Sequence, residues 1–253
     1  MPIQTSIATL RALTRPALAI RKDRECHLDI SPEALRFRAR SEDYEAYIDH
    51  TIPTTNPEIS GTDISGSYCV RFPNLKALFT ASCAADVIIR TPAETSNETF
   101  TFQSGSLTYR HTPISKTTAH RVFNNITAET TTEISIQNKV FHRAITVANL
   151  LGTTLHVCFN HETRQTEFTA EDPASGDSFL YTHRVEQIHS TQPQATELTI
   201  PIDRLRDLTP LVPASSTVSL ELTPHHLTYR AEHPVTGANL TMYIAEHHDA
   251  IDG

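Results

Sequence analysis

The chain states one structural plan twice, and that repetition constrains its fold more than any composition figure. Asn74–Thr91 (NLKALFTASCAADVIIRT) and Asp203–Leu222 (DRLRDLTPLVPASSTVSLEL) each read as a short amphipathic helix, a break of small residues and a β-branched strand. Thr9–Ile30 and Val140–Phe159 follow the same helix-then-strand order. Repetition at this scale implies two related halves rather than one continuous sheet system.

Strand signals fill the space between these segments. In the first half they are Glu25–Ser31, Glu33–Arg40, Glu45–Ile52, Ser67–Phe72, Asp86–Thr91, Thr99–Gln103 and Leu107–Arg110. In the second they are Thr154–Asn160, Glu167–Ala170, Phe179–Val185, Thr196–Ile200, Thr217–Leu222, Leu227–Glu232 and Asn239–Ala245. Each half therefore predicts antiparallel sheet with two short helices, an α+β class. His111–Glu133 is rich in Thr, Asn, His and Ser without sustained periodicity and reads as an exposed linker. The expected organisation is a first domain over residues 1–115, a connecting linker over 116–133 and a second domain over 134–253. The polar end, Glu246–Gly253, is expected to fray into solvent.

Charge on the helices is the next informative pattern. In Pro73–Ser82, Leu75, Leu78 and Phe79 form the apolar stripe and Lys76 projects elsewhere. In Asn138–Leu151, Val140, Phe141, Ala144, Ile145 and Ala148 predict the buried face, leaving Lys139, His142, Arg143 and Asn149 on the polar side. Ile202–Val212 buries Leu205, Leu208 and Leu211 and exposes Arg204 and Arg206; the first helix sets Arg11 and Arg15 beside Leu10, Leu13 and Ala17. All four helices thus present Lys or Arg away from the sheet, although the formal net charge is −8. An ordinary solvated face is the bland alternative for any one of them, and Asp203 and Asp207 show that the last is not purely basic.

Two stretches carry a family resemblance. CHLDISPEALRFRARSEDYEAYIDHTI resembles first-domain strands of the sliding DNA clamps related to proliferating cell nuclear antigen (PCNA). IPIDRLRDLTPLVPASSTVSLELTPHHLTYRAEHPVTGANLTMYIAEHHDAIDG resembles their C-terminal helix, Ser-Ser-Thr-Val strand start and closing Tyr-Leu-Ala-Pro segment with its acidic tail. The resemblance implies a DNA clamp fold: two topologically similar domains per subunit, and a homotrimeric ring of six domains with sheets outside and helices lining a hole. Such a ring encircles double-stranded DNA through phosphates, without reading bases, and tethers DNA polymerase and other replication or repair enzymes. A clamp loader to open the ring is implied as a further partner. Three copies at −8 each carry −24, so the outside of such a ring is expected to be acidic and its lining basic.

Carried over residue by residue, the resemblance puts Arg11, Arg15, Lys76, Lys139, Arg143, Arg204 and Arg206 on DNA-facing helices. Pro16 and Pro210 are expected to interrupt two of them, because proline removes a helical hydrogen bond. Subunits are expected to meet edge to edge, Ser106–Ile114 with Tyr109 against Phe179–Val185 with Tyr181; packing of both tyrosines within their own domains is the alternative. The pocket that in this family receives PIP peptides corresponds to Arg40, Tyr44, Glu45, Tyr47, Ile126, Leu227, Tyr243 and Ala245. Arg40, Glu45 and Glu246 bring charge to a place that usually buries apolar anchors, so PIP-like peptides with an altered motif are expected.

Other classes find little support. No apolar run approaches the roughly 18 residues of a membrane span, and no signal-peptide pattern opens the chain, so an intracellular place is expected: cytoplasm or nucleoid in a prokaryote or virus, nucleus in a eukaryote. Cys26, Cys69, Cys83 and Cys158 are too dispersed for a metal motif or disulfide framework and read as small buried residues. Sequons at Asn97, Asn125 and Asn239 matter only in a secreted protein. Fourteen histidines include the pairs His225–His226 and His247–His248, but adjacent strand residues point to opposite faces and no HExxH spacing occurs. Seven glycines leave no GxSxG elbow, P-loop or GxGxxG turn. The expectation is no enzyme, no metal and no cofactor. The competing function is a clamp-fold accessory or regulatory subunit that binds a polymerase or another clamp without forming a DNA-encircling ring by itself.

Overall fold

The computed structural model describes residues 2–20, 25–41, 46–61, 65–71, 85–95, 98–114, 132–190, 196–233 and 237–246, excluding the side chains of Leu13, Ala17, Leu18, Ala93, Ser190 and Arg204. The chain divides into two compact units. One comprises Met1–Glu42, Ile48–Phe123 and Val235–Asn239; the other comprises Asp43–Tyr47, Asn124–Pro234 and Leu240–Gly253.

Nine strands belong to the first half: β1 (Ile3–Ser6), β2 (Glu25–Ile30), β3 (Ala34–Arg40), β4 (Ala46–Pro53), β5 (Ile59–Ser60), β6 (Gly66–Arg71), β7 (Asp86–Arg90), β8 (Phe100–Ser104) and β9 (Leu107–His111). Nine more follow: β10 (Thr132–Gln137), β11 (Thr154–Asn160), β12 (Gln165–Glu171), β13 (Ser178–Arg184), β14 (Gln187–Ser190), β15 (Thr196–Pro201), β16 (Thr217–Leu222), β17 (His226–Glu232) and β18 (Asn239–Ala245). In the first half the strands lie in the orders β5-β1-β7-β8-β9 and β4-β3-β2-β6; in the second, β14-β10-β16-β17-β18 and β13-β12-β11-β15. Adding nine to every strand of the first half reproduces the second. The repeat seen in four sequence segments therefore extends to the hydrogen-bond order of every strand.

Alternation sets which face each strand buries. β11 and β12 are seven-residue strands whose alternate residues Leu155, Val157, Phe159 and Thr166, Phe168, Ala170 are buried, as the period of two requires. In the first half Leu28, Ile30, Leu35, Phe37, Ile3, Ile89 and Phe102 enclose an apolar core with Leu10 of the Ile7–Ala19 helix. That helix starts where Ser6 Oγ accepts from the Thr9 N–H at 3.0 Å. Pro16 does not interrupt it as expected: the helix runs through to Ala19. The N–H that proline removes would have served the carbonyl of Ala12, which is an exposed residue.

Pro210 has the opposite outcome. The helix expected over Ile202–Val212 is only Asp203–Arg206, followed by a 3-10 turn at Thr209–Leu211. An α-helix continuing there would need the Pro210 N–H that does not exist, and the ring would meet the carbonyl of Arg206. Leu205 and Leu208 are still buried, at 0% and 1% exposure, so the broken element keeps its apolar anchor; Leu211 is only half-buried.

The turn that follows the broken helix is held by Asn138, the first residue of the Asn138–Leu151 helix, itself 1% exposed. Its Nδ2 donates to the carbonyls of Thr209 at 2.9 Å and Val212 at 2.8 Å, and its Oδ1 accepts from the Tyr229 hydroxyl at 3.0 Å. Gln137 provides no side-chain cap to this helix. Its first backbone donors are served instead by the following loop, Asn138 N–H to Ser216 O at 2.8 Å and Lys139 N–H to Ala214 O at 3.0 Å. The five residues expected on its buried face, Val140, Phe141, Ala144, Ile145 and Ala148, are all buried.

Several expectations are corrected here. The linker was expected to run to Glu133, but Thr132 and Glu133 begin β10, which pairs with both β14 and β16. The strands β1, β5 and β14 carried no usable sequence signal, being two to four residues long. Cys26 and Cys69 are buried as expected, whereas Cys158 is half-exposed because it lies on the outer face of β11, and burial together with Glu197 and Glu167 pushes its thiol upward. Glu246 does not fray, since its N–H donates to His225 O at 2.8 Å. The helix read at Pro73–Ser82, Cys83, most of the linker and residues 247–253 fall outside the described residues.

Replacing Asn138 by Ala takes the amide from the buried Tyr229 hydroxyl and the Val212 carbonyl and leaves the Thr209 carbonyl only the Val212 N–H at 3.3 Å, and is expected to lower the unfolding free energy by about 3 kcal/mol. Tyr229→Phe removes one bond only and should cost about 1 kcal/mol. Urea denaturation followed by circular dichroism measures both; equal and negligible losses would refute the role of this amide.

Candidate functional site

Helix faces come first. Arg11 and Arg15 are exposed, four residues apart on the Ile7–Ala19 helix, and Lys139 and Arg143 are exposed with the same spacing on Asn138–Leu151. That spacing puts each pair on one face. Neither helix contains an Asp or Glu, so both faces carry charge of a single sign in a chain of formal net charge −8. Arg206 is exposed but bonded to Asp207 Oδ1 at 3.3 Å and Asn149 Oδ1 at 3.4 Å, which partly neutralises it. Lys76 and the side chain of Arg204 lie outside the described residues.

Edge strands come next. β9 and β13 each end their sheet order. Tyr109 is half-buried at the end of a run of rings, Tyr68–Phe100 at 4.8 Å, Phe100–Phe102 at 6.1 Å and Phe102–Tyr109 at 5.8 Å, and burial raises its phenol pKa. Tyr181 closes a matching run, Tyr229–Phe141 at 5.8 Å, Phe141–Phe168 at 6.0 Å and Phe168–Tyr181 at 6.2 Å. Both tyrosines thus pack within their own unit and reach its edge. The Arg143 guanidinium sits 5.7 Å from the Tyr181 ring centroid, a cation–π distance that joins two residues expected in separate roles.

The expected peptide pocket is represented in part. Tyr47 and Leu227 are buried, at 5% and 0% exposure, and Tyr243 and Ala245 are half-buried. The Tyr47 and Tyr243 rings lie 5.7 Å apart at 40°. Arg40 is buried on β3 and belongs to the first unit, whereas Tyr47, Leu227, Tyr243 and Ala245 belong to the second. Tyr44, Glu45 and Ile126 lie outside the described residues.

Sequence reasoning missed His226, whose ring centroid is 6.4 Å from that of Tyr243 and whose Nδ1 is 2.9 Å from Thr223 Oγ1. Its position beside Leu227 was the available signal, but it was weighed there only as a metal ligand. Beside it Arg230 is held by Glu221, whose hydrogen bond pushes the guanidinium pKa up. Burial lowers the pKa of His226, with Glu221 opposing and His225 adding to the shift, and burial alone lowers that of His111. No group of three or more His, Cys, Asp or Glu among the described residues could hold a metal. None of the described helices is long and apolar enough to cross a membrane.

Both histidines predict one pH dependence. Unfolded histidine titrates near 6.5 and these fold with lower values, so between the two the unfolded chain binds more protons and stability rises with pH. The denaturant midpoint should therefore fall as pH drops from about 7.5 to about 5.5, and a His111→Gln/His226→Gln variant should flatten that slope. A midpoint that rises on acidification would contradict this assignment.

No family model matches the sequence, and no curated protein matches it. Solved structures do match in fold. A structure of A. fulgidus PCNA with the C-terminal region of FEN-1 bound superposes with a TM-score of 0.83 at 14% identity, covering 99% of this chain and 100% of that one. PCNA from Thermococcus kodakaraensis gives 0.77 at 13% identity, covering 97% and 100%. A PCNA2–PCNA3 complex from Sulfolobus tokodaii gives 0.76 at 14%, covering 98% and 99%. Over nearly its whole length, this chain has the PCNA-like clamp fold.

Proposed function

We propose that this chain is a subunit of a sliding DNA clamp, a non-enzymatic ring that encircles duplex DNA and tethers DNA polymerase and other replication or repair enzymes. The observation that carries this reading is charge segregation. Two acid-free helices each present a cation pair four residues apart, in a duplicated clamp fold whose remaining surface holds the excess of carboxylates. Cations on rigid helices engage phosphates at any sequence, which permits sliding and makes the grip salt-dependent. The sheet-terminal β9 and β13 supply heterologous edges through which copies can close, and three copies make the homotrimer. Half-buried Tyr243 and Ala245, backed by the buried Tyr47 and Leu227, support docking of partner peptides, and a closed ring requires a loader to open it.

Light scattering on the eluting protein should give a mass about three times 28.2 kDa. A strict monomer that reaches DNA only through another protein would instead establish the accessory-subunit reading. On duplex DNA, replacing Arg11, Arg15, Lys139 and Arg143 by Ala should flatten the slope of log affinity against log salt by about three to four. An unchanged slope would remove these helices from the DNA-facing role. For the peptide surface, the charge that Arg40, Glu45 and Glu246 bring to a place that usually buries apolar anchors means that an unmodified consensus PIP peptide should bind more weakly than about micromolar. Micromolar or tighter binding would show that the docking motif is not altered.

A further inference from the structure

We propose that His226 is a specificity-determining residue of the peptide surface, a neutral imidazole with its proton fixed on Nε2 that donates to a docked peptide and releases it when acid charges the ring. The inference rests on the docking reading above and adds the chemistry by which that surface selects its partner and lets it go.

The turn that leads into β17 fixes the ring. Thr223 is 3% exposed, and its Oγ1 accepts the N–H groups of His225 at 3.2 Å and His226 at 3.0 Å. Those two bonds occupy both lone pairs of the hydroxyl oxygen and leave only its proton to give. His226 Nδ1 lies 2.9 Å from that oxygen and the His226 carbonyl 3.1 Å from it. Nδ1 can therefore accept from Thr223 but cannot donate to it. The ring proton belongs on Nε2, and a second proton, on Nδ1, would face an oxygen with no lone pair left to receive it. Burial of the ring, which lowers its pKa, acts in the same direction.

The groups around the ring decide what it can bind. His226 is half-buried, its ring centroid 6.4 Å from that of Tyr243 on β18, and Tyr243 packs in turn 5.7 Å from Tyr47 on β4. Glu221 on β16 favours a charged ring, but both of its oxygens are held by the Arg230 guanidinium, which also shares a hydrogen bond with the Tyr243 side chain. The neighbouring His225 disfavours the charged ring, and Glu246 reaches this turn through its N–H to the His225 carbonyl. With Glu221 committed to Arg230, a neutral donor among aromatic rings suits an uncharged acceptor, a peptide carbonyl or a side-chain amide oxygen, lying beside an apolar anchor. Protonation turns the same ring into a cation that the peptide would have to cover, at a desolvation cost that opposes docking.

The test is nuclear magnetic resonance of the full chain with nitrogen-labelled histidine, titrated up to millimolar with a consensus PIP peptide that has blocked termini and no Asp, Glu or His. At about pH 7.5 the His226 ring should carry its proton on Nε2, and its midpoint should lie below the ordinary value of about 6.5. From about pH 7.5 to about pH 5 the peptide should lose at least about threefold in affinity, because only the neutral fraction binds it. Saturating peptide should, reciprocally, push the His226 midpoint further down. His226→Gln should flatten the pH profile. Thr223→Val, which takes the hydroxyl from Nδ1, should raise the midpoint and move release to higher pH, with circular dichroism confirming both folds. A proton on Nδ1, an affinity indifferent to pH, or a drop that persists in His226→Gln overturns this inference and leaves the docking reading intact. A peptide that fails to bind at millimolar concentration at either pH overturns the docking reading and the inference with it.

Discussion

Asn138 is the constraint around which the second unit is organised. One buried amide joins the start of the long helix, the 3-10 turn that Pro210 forces and the Tyr229 hydroxyl on β17. Carbonyls left without donors in a dry interior cost about 1–3 kcal/mol each. Here the donors arrive from a residue 71 positions away in sequence. The arrangement is reciprocal, because the loop after the broken helix returns two carbonyls to the first N–H groups of the long helix. Each helix terminus thus solves the other's unpaired backbone groups, and the cation-bearing face of Asn138–Leu151 is held rigidly as a consequence.

Aromatic rings extend this rigidity to the sheet edges. From Tyr229 through Phe141 and Phe168 to Tyr181, neighbouring centroids stay within about 6 Å, the distance at which tilted or offset rings attract. The run from Tyr68 to Tyr109 does the same for the first unit. Edge strands are ordinarily the least constrained part of a sheet. Anchoring their tyrosines in the core holds these two edges in place, with the His111 ring beside Tyr109 and the Arg143 guanidinium over Tyr181.

The candidate surfaces were legible to different depths. Arg11, Arg15, Lys139 and Arg143 could be placed on polar faces from a period of 3.6 alone, because apolar residues mark the opposite face. Arg206 could be exposed and Asp207 placed beside it by the same rule, but its bond to Asn149 could not be read, since Asn149 comes from another helix. Of the peptide surface, Leu227 and Tyr243 were recognisable within their strands. His226 was weighed only as a metal ligand because its contact with Tyr243 is a cross-strand event with no spacing rule.

By itself the sequence determined the class, the duplicated halves, most strand positions and which helix faces are apolar, because each depends on residues within a few positions of one another. It also determined that Pro210 would disturb a helix. Tertiary structure decided what that disturbance became, which proline was harmless, and that β10 begins inside the supposed linker. Those outcomes depend on where a carbonyl or strand edge lies in the folded chain: Ala12 open to solvent, Asn138 beside Thr209 and Val212, β14 and β16 beside β10. Hydrogen bonds must be satisfied, but only the folded chain determines by whom.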